Sequence, residues 1–318
     1  MSRPPLGFDR TTGRLDGASA MERCAALALQ AGAKVSSAFD HRGFSLGSRL
    51  VTSMLDRREI VLQLNEDARF AFPFGDGYWS LLLDRNFKYE DETESFLKGV
   101  AGTGYTFIDC GANFGFWSVL VSSRPFGAHP AIAVEPSSQN LAKLKRNADI
   151  NGNRFAVLHC AVGAKNGSAV LTGHKHEGMS IVGGGANAGG ETVEVIALDS
   201  LLDRGQVECG RPLVVKLDVE GVEIEAIEGG RRLFEGDTVL IVEEHGSDRN
   251  HTVSRYIRDR TPYRMYVFDP QSGGFEPLLE LSTLDRIKVY AATGYNVFVT
   301  TSAFWEERIR ALPKMATH

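Results

Sequence analysis

The chain has 318 residues, of which 43% are hydrophobic and 24% are charged, and its formal net charge at pH 7 is −5. That much apolar material suffices for a sizeable core and excludes a disordered or fibrous protein. The acidic balance disfavours nucleic acid as a partner, because proteins that hold phosphate backbones usually carry strongly basic surfaces.

Cysteine usage and hydropathy bear on the cellular compartment. Cys24, Cys110, Cys160 and Cys209 are far apart and form no C-x-x-C pair, so neither a disulfide scaffold nor a structural zinc site is indicated. No segment approaches the roughly 18 uninterrupted apolar residues of a membrane helix. The first residues also lack the apolar run of a signal peptide. We therefore expect a cytoplasmic protein without a membrane partner.

The first 85 residues differ in pattern from the rest of the chain. Met21–Gln30 has a short helical period, Glu59–Leu64 is strand-like, and an aromatic cluster with Gly and Pro extends from Phe70 to Trp79. We predict that residues 1–85 form a helical cap with a β-hairpin, which serves as a substrate lid or in dimerisation. Residues 86–318 would form the main domain.

From Tyr105 onward, apolar strand-like runs alternate with helical patterns. The predicted strands are Thr106–Cys110, Ala131–Val134, Ala156–Ala161, Leu213–Asp218 and Thr238–Val242. Helices are predicted at Trp117–Val121, after Pro136 and at Glu223–Phe234. This alternation implies right-handed crossovers and a doubly wound parallel sheet.

Two segments interrupt the alternation. Ser168–Leu171 and Thr192–Leu198 predict an inserted β-hairpin with a glycine-rich tip at 183–190, and Met265–Phe268 with Tyr295–Thr300 predict a closing antiparallel pair. The predicted fold is therefore α/β and Rossmann-like. It has a doubly wound, mostly parallel sheet with a closing antiparallel strand pair, an inserted β-hairpin and the N-terminal helical cap.

The most informative motif runs from Asp109 to Gly115, between the first strand and a helix. Gly111 and Gly115 allow a sharp turn and a close backbone approach, and the helix start offers unpaired N–H groups. The spacing is G-x-x-x-G rather than the G-x-G-x-x-G of dinucleotide sites. The Asp109 carboxylate would repel a pyrophosphate and suits a cationic ligand. S-adenosylmethionine, which carries an ammonium and a sulfonium, is such a ligand.

The second strand ends in Glu135. In doubly wound folds, an acid at this place accepts hydrogen bonds from ribose hydroxyls, and ligands lie beyond the carboxyl ends of the strands. Its spacing from Gly111 fits that geometry. Together the two elements predict a site for an adenosine-type ligand.

Further charged residues follow the fourth and fifth strands. We predict that Lys216, Asp218 and Glu220 share one face of an extended segment, because side chains alternate along a strand. The two carboxylates could hold substrate, act as general base or bind a metal. A buried ion pair of Lys216 with an acid is the structural alternative. His245 is a candidate base for deprotonating an alcohol. His174–Glu177 is interpreted as a solvated loop and not as a metal site.

These motifs resemble those of the FkbM-type methyltransferases over roughly residues 86–300. The resemblance is carried by Phe107–Gly115, Ala133–Pro136, Ala161–Gly163, Leu198–Leu201 and Val215–Gly221. Members of this family are mostly O-methyltransferases of natural products, sugars and related metabolites.

The resemblance implies a site for S-adenosylmethionine. It assigns Asp109, Gly111, Asn113 and Gly115 to the methionine part, Glu135 to the ribose, Cys160 and Ala161 to the adenine, and Asp218 to the neighbourhood of the transferred methyl. Phe114 and Pro136 are also predicted to bind the cofactor. A divalent metal is not indicated, although the carboxylates leave one open.

The sequence thus predicts an S-adenosylmethionine-dependent methyltransferase that transfers a methyl group in line to a hydroxyl of a small molecule. We expect His245, Asp218 or Glu220 to serve as the base. Methylation of a nitrogen or carboxyl group in a small molecule or peptide stays open, as do a nicotinamide-dependent oxidoreductase, a non-catalytic binding module and a homodimer. A nucleic-acid methyltransferase is disfavoured, because the Asn/Asp-Pro-Pro-aromatic motif is missing after the fourth strand.

Overall fold

The computed structural model describes residues 3–172, 180–182, 190–208, 210–291 and 293–314. The glycine-rich tract at 183–189, the segment His174–Glu177 and Cys209 lie outside the described residues. The chain divides into two compact units, of which the first comprises residues 1–91 and 145–153 and the second the remainder.

The N-terminal unit contains a four-stranded sheet and two α-helices. Its elements are β1 (Leu6–Asp9), β2 (Leu15–Asp16), α1 (Ala20–Ser36), α2 (Phe44–Thr52), β3 (Glu59–Gln63) and β4 (Arg69–Pro73). The sheet order is β2-β1-β3-β4, in which β1 and β3 are parallel and the other pairs antiparallel. The predicted helix and the hairpin of β3 and β4 are present. The strands β1 and β2 were not predicted, because two to four residues are too few to show a period.

A buried ion pair anchors the start of α1. Ser19 and Glu22 form a capping box, in which each side chain accepts a hydrogen bond from the other residue's backbone N–H. The Glu22 carboxylate also lies 2.7 Å from a guanidinium nitrogen of Arg58, and both side chains are almost fully buried. Burial by itself would raise the pKa of Glu22, but the hydrogen bonds from Ser19 and Arg58 hold it below its usual value.

The outer edge of β4 is closed by side-chain amides. Asn147 accepts from the N–H of Ala71 at 2.7 Å and donates to its carbonyl at 3.0 Å. Asn151 makes the same pair of hydrogen bonds with Arg69, at 2.9 and 2.6 Å. Two asparagines four residues apart thus imitate a neighbouring strand and satisfy an edge that would otherwise expose unpaired backbone groups.

The second unit contains the large sheet. Its elements are α3 (Asp91–Gly99), β5 (Thr106–Cys110), α4 (Phe116–Val121), β6 (Ala131–Val134), α5 (Ser138–Ile150, whose end belongs to the first unit), β7 (Phe155–Leu158), β8 (Ala161–Val162), β9 (Gly167–Thr172), β10 (Ser180–Val182), β11 (Glu191–Ile196), α6 (Ser200–Asp203), β12 (Leu213–Leu217), α7 (Glu223–Gly229), β13 (Thr238–His245), α8 (Thr252–Arg260), β14 (Arg264–Asp269), β15 (Gly274–Pro277), α9 (Ser282–Ile287), β16 (Gly294–Thr300) and α10 (Ala303–Ala311).

The large sheet has the order β15-β14-β16-β13-β12-β5-β6-β7. The strands from β13 to β7 are parallel, and β16 lies antiparallel between β13 and β14. This confirms the α/β, doubly wound fold with its closing antiparallel pair. The strand order reverses between β5 and β12, which places the carboxyl ends of these two strands at the switch point where such folds bind ligands.

Three predicted elements differ in detail. The third strand ends at Leu158, and Ala161–Val162 joins a separate small sheet of order β10-β9-β11-β8, so the predicted hairpin of β9 and β11 is part of a larger sheet. The predicted helix Glu223–Phe234 ends at Gly229. The strand is interrupted at His159–Cys160 and the helix ends at the Gly229–Gly230 pair, and a period count over apolar positions detects neither.

No helix among the described residues is long and apolar enough to cross a membrane.

Candidate active site

The residues predicted to bind cofactor or substrate lie at or directly beyond the carboxyl ends of strands in the second unit. Asp109 to Gly115 form the end of β5 and the turn that follows, Glu135 and Pro136 follow β6, Cys160 and Ala161 follow β7, Asp218 and Glu220 follow β12, and His245 ends β13. All five strands are neighbours, in the order β13-β12-β5-β6-β7. Their ends therefore converge on one edge of the sheet.

The turn after β5 is held against the end of β12. Gly111 has φ +80°, and a Cβ on it would lie 1.7 Å from the backbone oxygen of Asp218. The N–H of Asp218 in turn donates to the carbonyl of Cys110 at 3.1 Å. Position 111 therefore has no room for a side chain. Gly115, with φ +84°, is similarly confined by the side chain of Leu144.

The same turn connects to the end of β6. The N–H groups of Gly111 and Ala112 both donate to the carbonyl of Val134 at 3.0 Å. Asn113, which adopts φ +52°, donates its N–H to the Glu135 carboxylate at 2.8 Å. The turn is thereby fixed to both neighbouring strands before any ligand binds.

Glu135 is a buried carboxyl group surrounded by donors. It accepts hydrogen bonds from the backbone N–H of Ser137 at 2.8 Å and the side-chain amide of Asn140 at 3.3 Å, in addition to that of Asn113. Burial nevertheless raises the pKa of Glu135 to about 7, against the influence of these donors. A ligand hydroxyl that donates to this group would favour its charged form.

Several predicted cofactor residues are more enclosed than the sequence suggested. Asp109 is buried and accepts a hydrogen bond from the Ser118 hydroxyl at 2.7 Å, so its carboxylate stabilises the start of α4. Phe114, Cys160 and Ala161 are also buried. Direct contact of these residues with a ligand remains a prediction.

Lys216 and Asp218 form an ion pair, with 2.7 Å between Nζ of Lys216 and Oδ2 of Asp218. This is the structural alternative that the sequence left open. The Lys216 side chain is almost fully buried, whereas Asp218 is partly accessible. Burial alone would raise the pKa of Asp218, but the Lys216 charge, a hydrogen bond with Glu243 and the nearby His245 together hold it below its usual value. Asp218 is thus a carboxylate that stays ionised.

Glu220 does not continue the extended segment, and the predicted alternation of Lys216, Asp218 and Glu220 is wrong. The strand ends at Leu217, and Glu220 adopts a left-handed conformation with φ +55°. The turn is stabilised by Glu223, whose carboxylate accepts from the N–H groups of Val219 at 3.3 Å and Gly221 at 3.1 Å.

The turn brings Glu220 to His245. Its carboxylate lies 3.8 Å from Nε2 of His245, and both side chains are partly exposed. His245 also acts electrostatically on Asp218. The three residues predicted as catalytic are therefore neighbours in space, although they come from two different strand ends.

A buried charged cluster lies behind the end of β13. Glu244 points to the opposite side from His245 and accepts from the N–H of Ser254 at 3.2 Å. Its carboxylate lies 3.9 Å from Nδ1 of His251 and 3.8 Å from the ammonium of Lys288, which is completely buried. Lys288 also donates to the carbonyl of Asp248 at 2.5 Å. These contacts fix the segment after His245. The sequence indicated none of them, because the partners are up to 44 residues apart.

His159 is a second residue that the sequence analysis missed. Its Nε2 lies 2.9 Å from the carbonyl of Pro136 and 3.7 Å from the carboxylate of Glu191. Glu191 also accepts from the N–H of Ser138 at the start of α5. His159 precedes the predicted adenine-flanking residues, and this adjacency in sequence is the signal that could have found it.

Residues 109–265 match the model of the methyltransferase FkbM domain. The chain carries a methyltransferase domain of the FkbM type. The matched range begins at Asp109 and extends to the start of β14, so it contains every predicted site residue. An oxidoreductase, which the sequence alone left open, is thereby set aside.

Relatives of this FkbM-type chain include the hexuronic acid methyltransferase AglP of Haloferax volcanii, which is 25% identical over 196 residues, or 60% of this chain and 76% of that protein. Among solved structures, the methyltransferase FkbM from Methylobacillus flagellatus has 20% identity and a TM-score of 0.36, over 51% of this chain and 39% of that one. The precorrin-6y C5,15-methyltransferase from Geobacter metallireducens has 12% identity and a TM-score of 0.37, over 68% of this chain and 90% of that one.

Within the described ranges, no group of three or more His, Cys, Asp or Glu side chains is arranged to hold a metal ion.

The contact at Gly111 predicts a steric penalty that can be separated from backbone strain. In Gly111→Ala, the methyl group would collide with the Asp218 carbonyl, so we expect the free energy of unfolding to fall by about 2–5 kcal/mol, the sum of the costs of the left-handed conformation and of overpacking. Gly205→Ala is the matched control, since Gly205 has φ +66° but open space around it. It should cost only about 1–2 kcal/mol. Urea denaturation measures both, and equal losses would contradict the collision.

Glu135 predicts a pH dependence of cofactor binding. Because burial raises its pKa to about 7, its contribution to stability is present at low pH and is lost as the pH rises through 7. A ligand hydroxyl favours the ionised form, so the affinity for S-adenosylhomocysteine should increase by up to about tenfold per pH unit below 7 and level off above it. Calorimetric titration at a series of pH values measures this. Glu135→Gln should abolish the dependence, whereas Glu194→Gln, on the exposed side of β11, should retain it; an unchanged slope in Glu135→Gln would exclude Glu135 as its source.

Proposed function

We propose that this FkbM-type domain uses S-adenosylmethionine to methylate a hydroxyl group of a small, neutral, polyhydroxylated molecule such as a sugar. The observation that carries the proposal is the meeting of His245, Glu220 and Asp218 beside the turn at Gly111. A group that can accept a proton thus lies next to the predicted cofactor site.

The residues present fit the proposed cofactor. Glu135 offers a carboxylate whose ionised form would be favoured by ribose hydroxyls, and the turn from Gly111 to Gly115 leaves the backbone close to a ligand. The buried thiol of Cys160, whose pKa burial raises to about 11, stays neutral and provides an apolar wall for an adenine ring. When bound, S-adenosylmethionine would supply a methyl group on its sulfonium, and attack of the acceptor oxygen on this methyl carbon would release the sulfur as S-adenosylhomocysteine.

Asp218 is suited to electrostatic stabilisation and not to proton transfer. The Lys216 charge, the hydrogen bond with Glu243 and the influence of His245 outweigh the effect of burial on its pKa. A carboxylate that holds its proton so weakly is a poor base for an alcohol. Its negative charge would instead be complementary to a cationic ligand at the end of β12.

His245 is the better base. An imidazole exchanges a proton near neutral pH, and the ring of His245 is accessible to an acceptor. With Nε2 facing Glu220, the carboxylate would orient the ring. The segment behind it is fixed by the buried contacts of Glu244 and Lys288, which would hold the ring in register with the reacting oxygen.

The charges of the site bear on the acceptor. Asp218, Glu220 and Glu243 contribute carboxyl groups at the ends of β12 and β13. Carboxylates accept hydrogen bonds from hydroxyls and repel an acidic acceptor. The relative AglP is a hexuronic acid methyltransferase, which supports a sugar-like acceptor. For this chain we propose a neutral sugar or similar polyol, and the same charges disfavour methylation of a carboxyl group.

We place the reaction in the cytoplasm, where the thiols of Cys24, Cys110 and Cys160, all free in the structure, would stay reduced.

Calorimetric titration with S-adenosylhomocysteine and, separately, with NAD tests the cofactor. We expect saturable binding of S-adenosylhomocysteine alone. The turn from Gly111 to Gly115 lacks the G-x-G-x-x-G spacing of a dinucleotide site, and its Asn113 N–H already donates to the Glu135 carboxylate. Binding of NAD alone would overturn the proposal.

Replacement of His245 tests the base. In His245→Gln, turnover of a neutral sugar acceptor should fall by about 100-fold or more, with little change in the affinity for S-adenosylhomocysteine. Glu220→Gln should lower turnover less, since the Glu220 carboxylate only orients the ring. His41→Gln, in the N-terminal unit, is the control and should leave both quantities unchanged. Unaltered turnover in His245→Gln would exclude its role as base.

A further inference from the structure

Helix α1 is apolar on both of its sides. Its inner side buries Ala25, Ala26, Leu29 and Ala33 within the protein. The opposite side exposes Cys24, Leu27, Ala28, Ala31 and Val35, which recur at intervals of three and four residues. A helix with one side in water ordinarily carries polar residues there, and a helix that is apolar all round is normally a buried one. The outer side of α1 therefore has the composition of a covered surface.

Helix α2 extends this surface. It packs against α1 and turns Phe44 and Ser48 inward, whereas Leu46 and Leu50 are exposed one turn apart, with Met54 following at the next turn. We call the exposed set the α1–α2 face; its large members are Met21, Leu27, Val35, Phe39, Leu46, Leu50 and Met54.

The size of the α1–α2 face exceeds what a monomer ordinarily exposes. Its seven large side chains are between 58% and 85% exposed. At on the order of 100 Å² each, they offer roughly 700 Å², compared with about 300–600 Å² for the largest apolar patch of a typical monomer. One partner in a standard protein interface contributes about 800 Å². The face thus supplies most of the area that one partner contributes to a specific dimer.

The charges around the face fit a protein partner better than a lipid surface. Glu22, the one acidic residue in the sequences of α1 and α2, is buried and paired with Arg58. Arg23, Lys34 and Arg49 are exposed, and helical periodicity places them beside the apolar stripes and not within them. Interfacial helices that bind anionic lipid carry a polar side rich in Lys and Arg. Three basic residues at the margin are instead typical of the polar rim of a protein interface.

We propose that the α1–α2 face is a homodimer interface, in which α1 and α2 of one chain pack against α1 and α2 of a second copy. A twofold contact of this kind buries the same patch on both partners. The small residues Ala28, Ala31 and Gly47 leave grooves between the large ones, into which Leu46 and Leu50 of the partner would fit as ridges.

Light scattering on the full chain after size exclusion tests the proposal. The wild type should have twice the single-chain mass of 34.7 kDa. Leu50→Glu, alone and together with Leu46→Glu, should give 34.7 kDa, because each charge would be desolvated in the interface. The matched control is Leu279→Glu, a leucine that is 79% exposed outside the face, and it should stay dimeric. Since all these positions are exposed, the variants should keep the melting temperature of a folded single chain.

Alkylation of Cys24 gives an independent readout. Cys24 is exposed in the single chain and lies on the outer side of α1. In the dimer, its alkylation measured by peptide mass mapping should be slower than in the Leu46→Glu, Leu50→Glu variant. A dimer that persists in this variant, with Cys24 still reactive, would overturn the proposal. A wild type of single-chain mass would do so as well, and co-sedimentation with vesicles of anionic lipid would then assign the face to a membrane surface.

Discussion

The site depends on one close approach, that of the turn after β5 to the end of β12. A side chain at position 111 would overlap the backbone oxygen of Asp218, and the hydrogen bond between Asp218 and Cys110 holds the two strands at that distance. Because the strand order reverses here, every group that follows either strand is brought to the same edge. The glycine is thus required by packing before any ligand is considered. The position of the Glu135 carboxylate follows from it through the N–H of Asn113.

Two chemically similar carboxyl groups of the site differ in their pKa because their surroundings differ. Glu135 and Asp218 are both carboxyl groups at strand ends, yet burial raises the pKa of Glu135, whereas the Lys216 charge and the hydrogen bond with Glu243 keep that of Asp218 low. The difference lies in their neighbours. The Lys216 ammonium compensates Asp218 for the loss of water, whereas the neutral N–H donors around Glu135 compensate it only in part. One group is therefore poised to titrate near neutral pH and the other to remain a fixed charge.

At the end of β13, successive side chains point to opposite sides of the strand. His245 faces Glu220 at an accessible position, while Glu244 faces the buried His251 and Lys288. The interior contacts are costly to break, because an unpaired charge would be left in a medium of low dielectric constant. They restrict the backbone that carries the proposed base. Glu244 thus fixes the strand from its buried side, while the next residue, His245, is the one proposed to accept a proton.

The sequence itself determined the arrangement of the large sheet and the location of the candidate site. Apolar runs alternating with helical periods fixed the doubly wound sheet, and the glycines and acids at the ends of β5, β6, β12 and β13 predicted where the site lies. These signals are local, since period and turn chemistry act within a few residues. The break between β7 and β8, the left-handed turn at Glu220 and the two short strands β1 and β2 were not predicted, because each extends over too few residues to show a period.

Only the tertiary structure decided which charges pair and which faces are covered. The Lys288–Glu244 and Arg58–Glu22 contacts join residues 44 and 36 positions apart, and no periodicity encodes them. The helix at Met21–Gln30 was predicted from its period, but the period could not show which of the two apolar sides of α1 is buried. Local patterns specify which elements form. The free energy of a buried charge or an exposed apolar face depends on what lies against it, and that is known only once the chain has folded.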